Sequence, residues 1–309
     1  MISVVIITKD SAHRLGRCLE LIADAPEIIV ADTGSSDDTP QVAKAYGAKV
    51  CHIPWNQDFS EARTRAHEHA RHDLVMRLDD DELLRGGVGL EEVLALSRSA
   101  PDGLCMRRTQ PSGETDMLLR VYSRGKWAWH YPVHELLRSI SGERLRVLDA
   151  KDSWIEHRPS VRTRGYADML LSRLGDYSQD PYINYMCLKE LVLERRWYEA
   201  LHAFRRYANT VGGYRWHRSQ ADLYHGQILR EIGSSKEALA VLTEPKLAST
   251  RAEALHLAVE IALELKIDDE TIERMRQQAL GLSVPVEVGM SGNFQVPYVI
   301  DVKKYAAKP

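Results

Sequence analysis

No stretch of this chain approaches the roughly 18 consecutive apolar residues that a membrane-spanning helix requires, and no basic amphipathic segment stands out as a surface anchor. An excess of charge of one sign is missing too. Across 309 residues, 41 Lys and Arg face 44 Asp and Glu, a formal net charge of −3, which gives no bulk electrostatic reason to expect nucleic acid or an anionic membrane as partner. Cysteine is scarce. Cys18, Cys51, Cys105 and Cys187 lie far apart and form no C-x-x-C pair, as expected of thiols in a reducing compartment. The run Ile2-Ser3-Val4-Val5-Ile6-Ile7 has neither a basic region nor a small-residue cleavage site ahead of it, so it reads as a buried strand and not a targeting segment. Together these absences make a cytoplasmic globular protein the expectation. The 44% hydrophobic and 28% charged residues that are present suffice for a sizeable core in one large or two ordinary domains.

The first hundred residues alternate short β-branched runs, at 2–7, 27–31, 48–53 and 74–78, with segments of helical spacing. That alternation predicts βαβ units with right-handed crossovers and a mostly parallel sheet. From Ala12 to Ile22 the residues Leu15, Cys18, Leu19 and Ile22 share one helix face, and a second helix is predicted from Phe59 to Ala70 behind Asp58 as N-cap. Between about 103 and 149 shorter extended runs, such as Leu118 to Tyr122 and Arg144 to Leu148, predict a mixed or antiparallel extension of the sheet. After about residue 160 strand signals nearly vanish and amphipathic stretches continue to about 283.

Within that helical part, Trp197 to Phe204 and Ser235 to Leu242 repeat the pattern x-x-E-A-L-x-x-(apolar), with Glu199 and Glu237 38 residues apart. Gly226 stands where two helices of a hairpin must approach closely. The pattern resembles tetratricopeptide repeats, slightly stretched from their period of about 34 residues; a generic helical bundle is the alternative. The expected division is 1–160 for an α/β domain, 161–283 for an all-α helical-repeat domain and 284–309 for a C-terminal arm without clear period.

The densest chemistry is Arg77-Leu78-Asp79-Asp80-Asp81-Glu82, directly after the apolar run Leu74-Val75-Met76. Ligands of parallel α/β sheets bind beyond the carboxyl ends of the strands. Adjacent acids there repel one another unless a cation or hydrogen-bond donors compensate, and Mg²⁺ or Mn²⁺ takes one or two carboxylates together with phosphate oxygens and waters. The competing reading is an acidic helix start, since a helical pattern follows through Leu90 to Leu96. A further acid, Asp32, ends the second strand and leads into the polar turn Thr33-Gly34-Ser35-Ser36-Asp37; it can accept a hydrogen bond from a base N–H.

Four segments together, Ile6-Ile7-Thr8-Lys9-Asp10, Asp32 to Asp37, Trp55 to Arg63 and Leu78 to Glu82, resemble the family 2 inverting glycosyltransferases of the GT-A fold, in the family's order and spacing over roughly residues 1 to 160. The resemblance implies an α/β, Rossmann-like GT-A domain with a mixed sheet. It implies that Thr8 and Asp32 contact the nucleoside, most often uridine, and that Lys9, Asp10 and Asp80 line the same nucleotide-sugar site. Asp79 and Asp81 match the D-x-D pair, Asp81 being the direct metal ligand, and Arg63 reaches a phosphate, although Thr64 replaces the family's usual Asn. Tyr131 to Glu135 and Ile155-Glu156-His157 resemble later segments of members with a helical repeat domain. On that basis Glu135 is the candidate catalytic base, with His134 a second catalytic candidate, and His157, then His134, are the candidates for a third metal ligand. The family's E-D base motif is absent near residues 105 to 115. Trp127, Trp129 and Tyr131 alternate along one run and suit either a sugar-stacking platform or a core stripe.

The function so implied is metal-dependent transfer of a sugar from a nucleotide-sugar, UDP-linked first of all, to a peptide, protein or glycan acceptor, with self-association through the helical domain as a further expectation. A catalytically inactive nucleotide-binding scaffold is the alternative. A nucleotidyltransferase would show a glycine-rich basic phosphate loop after the first strand, and Thr8-Lys9-Asp10-Ser11 is not one.

Overall fold

A computed structural model describes residues 1–86, 89–99, 102–142, 146–159, 165–248 and 251–282. Four parallel strands form its frame: β1 (Ile2–Thr8), β2 (Glu27–Asp32), β3 (Lys49–His52) and β4 (Leu74–Asp79), connected by α1 (Ala12–Glu20), α2 (Thr39–Ala45) and α3 (Phe59–Glu68). β1 lies between β2 and β4, and its register pairs Thr8 with Asp32 and Ile7 with Asp79. The carboxyl ends carrying Thr8, Asp32 and Asp79 are therefore side by side.

The strands form where buried runs predict them because both faces of the sheet are covered, which removes the alternation of a half-exposed strand. On one face Val4, Ile6, Met76 and Leu78 pack with Leu15 and Leu19 of α1. On the other, Val5, Ile29 and Val75 pack with Ala62 and Ala66 of α3. Each such aliphatic side chain taken fully from water contributes about 1.5–3 kcal/mol. Asp58 caps α3 as expected, its side chain accepting from the Glu61 amide at 2.9 Å.

The sheet then continues through β5 (Glu82–Gly86), α4 (Gly89–Ser99), β6 (Gly103–Thr109), β7 (Thr115–Ser123) and β10 (Val147–His157), while β8 (Trp127–His130) and β9 (Leu136–Ser139) form a separate antiparallel ribbon. The strand order is β3-β2-β1-β4-β7-β6-β10-β5, with β7 antiparallel to both β4 and β6 and β5 antiparallel to β10. This is the mixed extension expected after residue 103. The competing reading of the acid run as a helix start is the one that fails. Glu82 begins β5, paired to β10 in a register that sets His157 opposite Glu82, and α4 starts only at Gly89.

Contacts divide the chain into two compact units, with the break between Thr163 and Arg164. Among the described residues the second unit contains helices only: α5 (Tyr166–Arg173), a 3₁₀ turn (Leu174–Tyr177), α6 (Pro181–Leu193), α7 (Trp197–Ala208), α8 (Arg215–Glu231), α9 (Ser235–Leu242), α10 (Pro245–Ala248), α11 (Ala252–Glu264) and α12 (Asp269–Gly281). α6 packs on α7, α8 on α9 and α11 on α12 as successive hairpins. The two repeated E-A-L segments are α7 and α9, and their alanines, Ala200 and Ala238, are fully buried. Gly226 of α8 meets α9 so closely that a Cβ there would lie 2.5 Å from Leu242 Cγ, the close approach its position suggests. The arm expected over 284–309 lies outside the described residues. Among the described residues no helix is long and apolar enough to cross a membrane.

Candidate functional site

The four acids from Asp79 to Glu82 are divided among four different surroundings. Asp80 turns inward. Its carboxylate accepts from Thr8 Oγ1 at 2.6 Å, from Ser11 Oγ at 2.5 Å and from Arg14 at 2.7 Å, which ties the acid run to β1 and α1. Burial pushes its pKa up, against the opposing pull of the Ser11 and Thr8 hydroxyls and Arg14.

Asp79 faces the α3 side. Arg63, nearly buried on α3, donates to Asp79 Oδ1 at 2.8 Å and through Nε to Glu135 Oε1 at 2.7 Å, and its guanidinium lies 5.1 Å from the Trp129 ring centroid. Burial alone would raise the Asp79 pKa, but the charges of Arg63, Arg77 and Arg120 outweigh it and hold the carboxyl well below the usual range. Likewise burial would lower the Arg63 pKa, and Asp79 and Glu135 reverse that. Arg63 engages only Oε1 of Glu135, so Oε2 has no protein hydrogen-bond partner among the described residues. His134 precedes it with left-handed backbone, φ 55°.

Asp81 faces β10. Its Oδ2 lies 3.4 Å from His157 Nε2, both side chains being mostly buried, and its backbone carbonyl accepts from the Arg158 amide at 2.7 Å. His157 Nδ1 lies 2.7 Å from Gln110 Oε1. Gln110 and His157 share the wall of a cavity of about 460 Å³ with Trp154, Glu156 and Arg158. Glu82, the last acid of the run, has no exposure at all. It accepts two bonds from fully buried Arg120, at 2.8 and 2.5 Å, and one from the Asp79 amide at 3.0 Å.

The end of β2 forms a second wall. Asp32 is fully buried and accepts from the Gly34 and Ser35 amides at 3.3 and 3.1 Å, with His52 Nδ1 3.0 Å away. Gly34 takes φ +103° in this turn, a conformation glycine adopts at little cost. Asp10, exposed at the end of the β1 loop, accepts from the Ser36 amide at 2.7 Å and hydroxyl at 3.0 Å, which lowers its pKa. Lys9 beside it is exposed.

Thus Thr8 and Asp80 are brought together, Arg63 with Asp79 and Glu135, and Asp81 with His157. Asp79, Asp81 and His157 are not gathered into one shell: among the described residues no three His, Cys, Asp or Glu side chains stand close enough to hold a metal by themselves. The aromatic run packs against the core, Trp127 and Trp129 half-buried. Trp127 donates to the Asp102 carbonyl at 2.8 Å, Trp129 packs between Arg63 and Arg77, and Tyr131 is 1% exposed. Sequence reading missed Ser11, Arg14, Gln110 and Arg120. For Arg120 a signal existed: a lone arginine inside the apolar run Leu118 to Tyr122 implies a buried acid opposite.

Comparison with known proteins gives the following likenesses. Residues 3–149 match the model of glycosyl transferase family 2. A TPR repeat-containing protein of Synechococcus elongatus is 31% identical over 209 residues, 61% of this chain and 51% of that protein. An uncharacterized glycosyltransferase of Rickettsia typhi is 37% identical over 84 residues, 27% of this chain and 28% of the other. The chain thus spans about half the length of the cyanobacterial relative and under a third of the rickettsial one. TarS of S. aureus superposes with a TM-score of 0.41 at 14% identity over 85% of this chain and 55% of that one, a likeness too weak to bear on ligand or chemistry. Residues 3–149, a little under half of the chain, are thus similar to glycosyl transferase family 2.

Proposed function

We propose that this chain transfers a sugar from a nucleotide-sugar, UDP-linked, to an acceptor nucleophile with inversion, using Mn²⁺ or Mg²⁺ held at Asp81 and His157. The observation that carries the reading is the Asp81–His157 pair at 3.4 Å, at the end of the strand beside Thr8 and Asp32. The donor set fits: one carboxylate and one imidazole leave room for two phosphate oxygens and water, the shell such cations favour. A cation bound there would neutralise the departing diphosphate.

The protein's own groups do the rest. Asp32, preorganised by the Gly34 and Ser35 amides, accepts from the base, and Thr8 fixes the floor of the nucleoside site through Asp80. Arg63 holds Asp79 and Glu135 together. Glu135, with Oε2 open, takes the acceptor's proton as it attacks the anomeric carbon. Peptide or protein and glycan are the two acceptor classes we assign, the first because a helical-repeat unit presents extended surfaces for such partners.

The test is calorimetric titration with UDP in the presence and absence of Mn²⁺, followed by a donor-hydrolysis screen over UDP-, GDP- and dTDP-sugars. The expected result is UDP binding that needs the cation and is lost in Asp81→Asn, with hydrolysis of a UDP-sugar. Binding that ignores the cation would overturn the metal assignment, and absence of both binding and hydrolysis would overturn the transferase reading.

A further inference from the structure

Gln110 lies outside every motif that carries the family resemblance, yet its side-chain oxygen stands 2.7 Å from a ring nitrogen of a candidate ligand. We propose that Gln110 is the positioning residue that locks His157 into the tautomer able to bind a divalent cation, an inference that rests on the metal reading of the Asp81–His157 pair.

The argument begins with donor chemistry. A carboxamide oxygen only accepts, so a hydrogen bond between Gln110 Oε1 and His157 Nδ1, 2.7 Å apart, requires the tautomer with its proton on Nδ1. A neutral imidazole then carries its lone pair on Nε2, the atom 3.4 Å from Asp81 Oδ2. In that neutral tautomer Nε2 and Asp81 Oδ2 would both turn lone pairs toward the space between them, where a divalent cation could be held, and an imidazole whose far N–H is anchored is the usual partner of a bound metal.

The anchor is itself rigid. Gln110 opens the turn between β6 and β7, where its amide donates to the Glu114 carbonyl at 2.8 Å and its carbonyl accepts from the Gly113 amide at 2.9 Å. Parallel pairing of β6 with β10, which aligns Thr109 with Glu156, brings the next residues, Gln110 and His157, side by side. A glutamine does this without adding a further negative charge beside Asp81. Gln110 and His157 line the same cavity.

Two readouts on the full chain test the assignment. In protein labelled with ¹⁵N-histidine, long-range ¹⁵N–¹H spectra without metal should show His157 protonated at Nδ1 only, with Gln110→Ala giving a mixture of tautomers. Mn²⁺ affinity in the presence of UDP, followed by electron paramagnetic resonance of the free ion, should fall about 10–100-fold in Gln110→Ala. Gln110→Glu, whose carboxylate accepts the same proton, should retain both the tautomer and most of the affinity, which a merely structural role for the turn would not require. Wild-type His157 protonated at Nε2, or unchanged tautomer and Mn²⁺ affinity in Gln110→Ala, would overturn the proposal while leaving the metal site intact. Failure of the wild-type chain to bind Mn²⁺ would instead remove the metal reading, and this inference with it.

Discussion

Arg120→Met is the perturbation with the most specific expected consequence. Arg120 and Glu82 are both wholly buried and joined by two hydrogen bonds of 2.8 and 2.5 Å. Removing one member of such a pair leaves an uncompensated charge in a low-dielectric site and costs about 3–5 kcal/mol. Arg108 stands 4.0 Å from Glu82 but already holds Asp116 at 2.6 Å, so it relieves little of that penalty, and about 3 kcal/mol is the expected loss. For a domain of this size that lowers the melting temperature by about 6–12 °C. Glu82→Gln should cost a similar amount by stranding Arg120. The double variant Glu82→Gln with Arg120→Met should recover to within about 1–2 kcal/mol of the parent, because no buried charge remains and the Gln side chain can still accept from the Asp79 amide. Urea denaturation followed by near-ultraviolet and far-ultraviolet dichroism separates the α/β transition from that of the helical unit, which matters because two units need not unfold together. A loss below about 1 kcal/mol for Arg120→Met, or a double variant as unstable as the two single losses added, would refute the reasoning.

Two other outcomes follow from the packing. His67, 8% exposed, has its pKa lowered to about 3 by burial and then by Arg63, Arg124 and Arg77. It stays neutral in the folded chain while the unfolded chain protonates it near pH 6.5. The stability it contributes is therefore full above that pH and lost as pH falls toward 3, at up to ~1.4 kcal/mol per pH unit. His67→Gln should flatten the fall of the urea midpoint on acidification by that amount, and an unaltered slope would contradict it. In the helical unit, Gly226→Ala gains about 1 kcal/mol of helix propensity but forces a methyl against buried Leu242, an overpacking cost of about 1–3 kcal/mol. A net loss near 1 kcal/mol by thermal melting, relieved when Leu242→Ala is added, is expected.

What could be read in advance and what could not divides along sequence separation. β1, β2 and β4 announce themselves because strands buried on both faces need uninterrupted β-branched runs, and Asp58 announces α3 because a cap is a local device. β5 does not: its apolar content is Leu83 and Leu84 beside four acids, and it exists because β10, more than sixty positions later, supplies its partner. The same reason hides Gln110, which acquires meaning only from the pairing of β6 with β10. The acid run was conspicuous in the sequence by its place at a strand end, where a ligand was expected. How it divides was not, since each acid's partner comes from a different element: α1 for Asp80, α3 for Asp79, β7 for Glu82 and β10 for Asp81.

That division bears directly on the chemistry. Four consecutive carboxylates could not all remain charged at one strand end without compensation, and three of them receive an arginine: Arg14, Arg63 and Arg120. Asp81 alone among them is met by a histidine, a group that compensates charge only when protonated and that otherwise offers a lone pair. The fold therefore spends cations on the acids that hold the loop and leaves at Asp81 the combination of carboxylate and imidazole that a divalent ion can complete. Adding a permanent cation at that position tests the logic in reverse. His157→Arg should leave thermal stability near that of the parent, since it supplies the missing partner for Asp81, while abolishing cation-dependent UDP binding. If UDP binding and its cation dependence survived that change, Asp81 would have to be counted with the structural acids and the ligand site sought elsewhere on the strand ends.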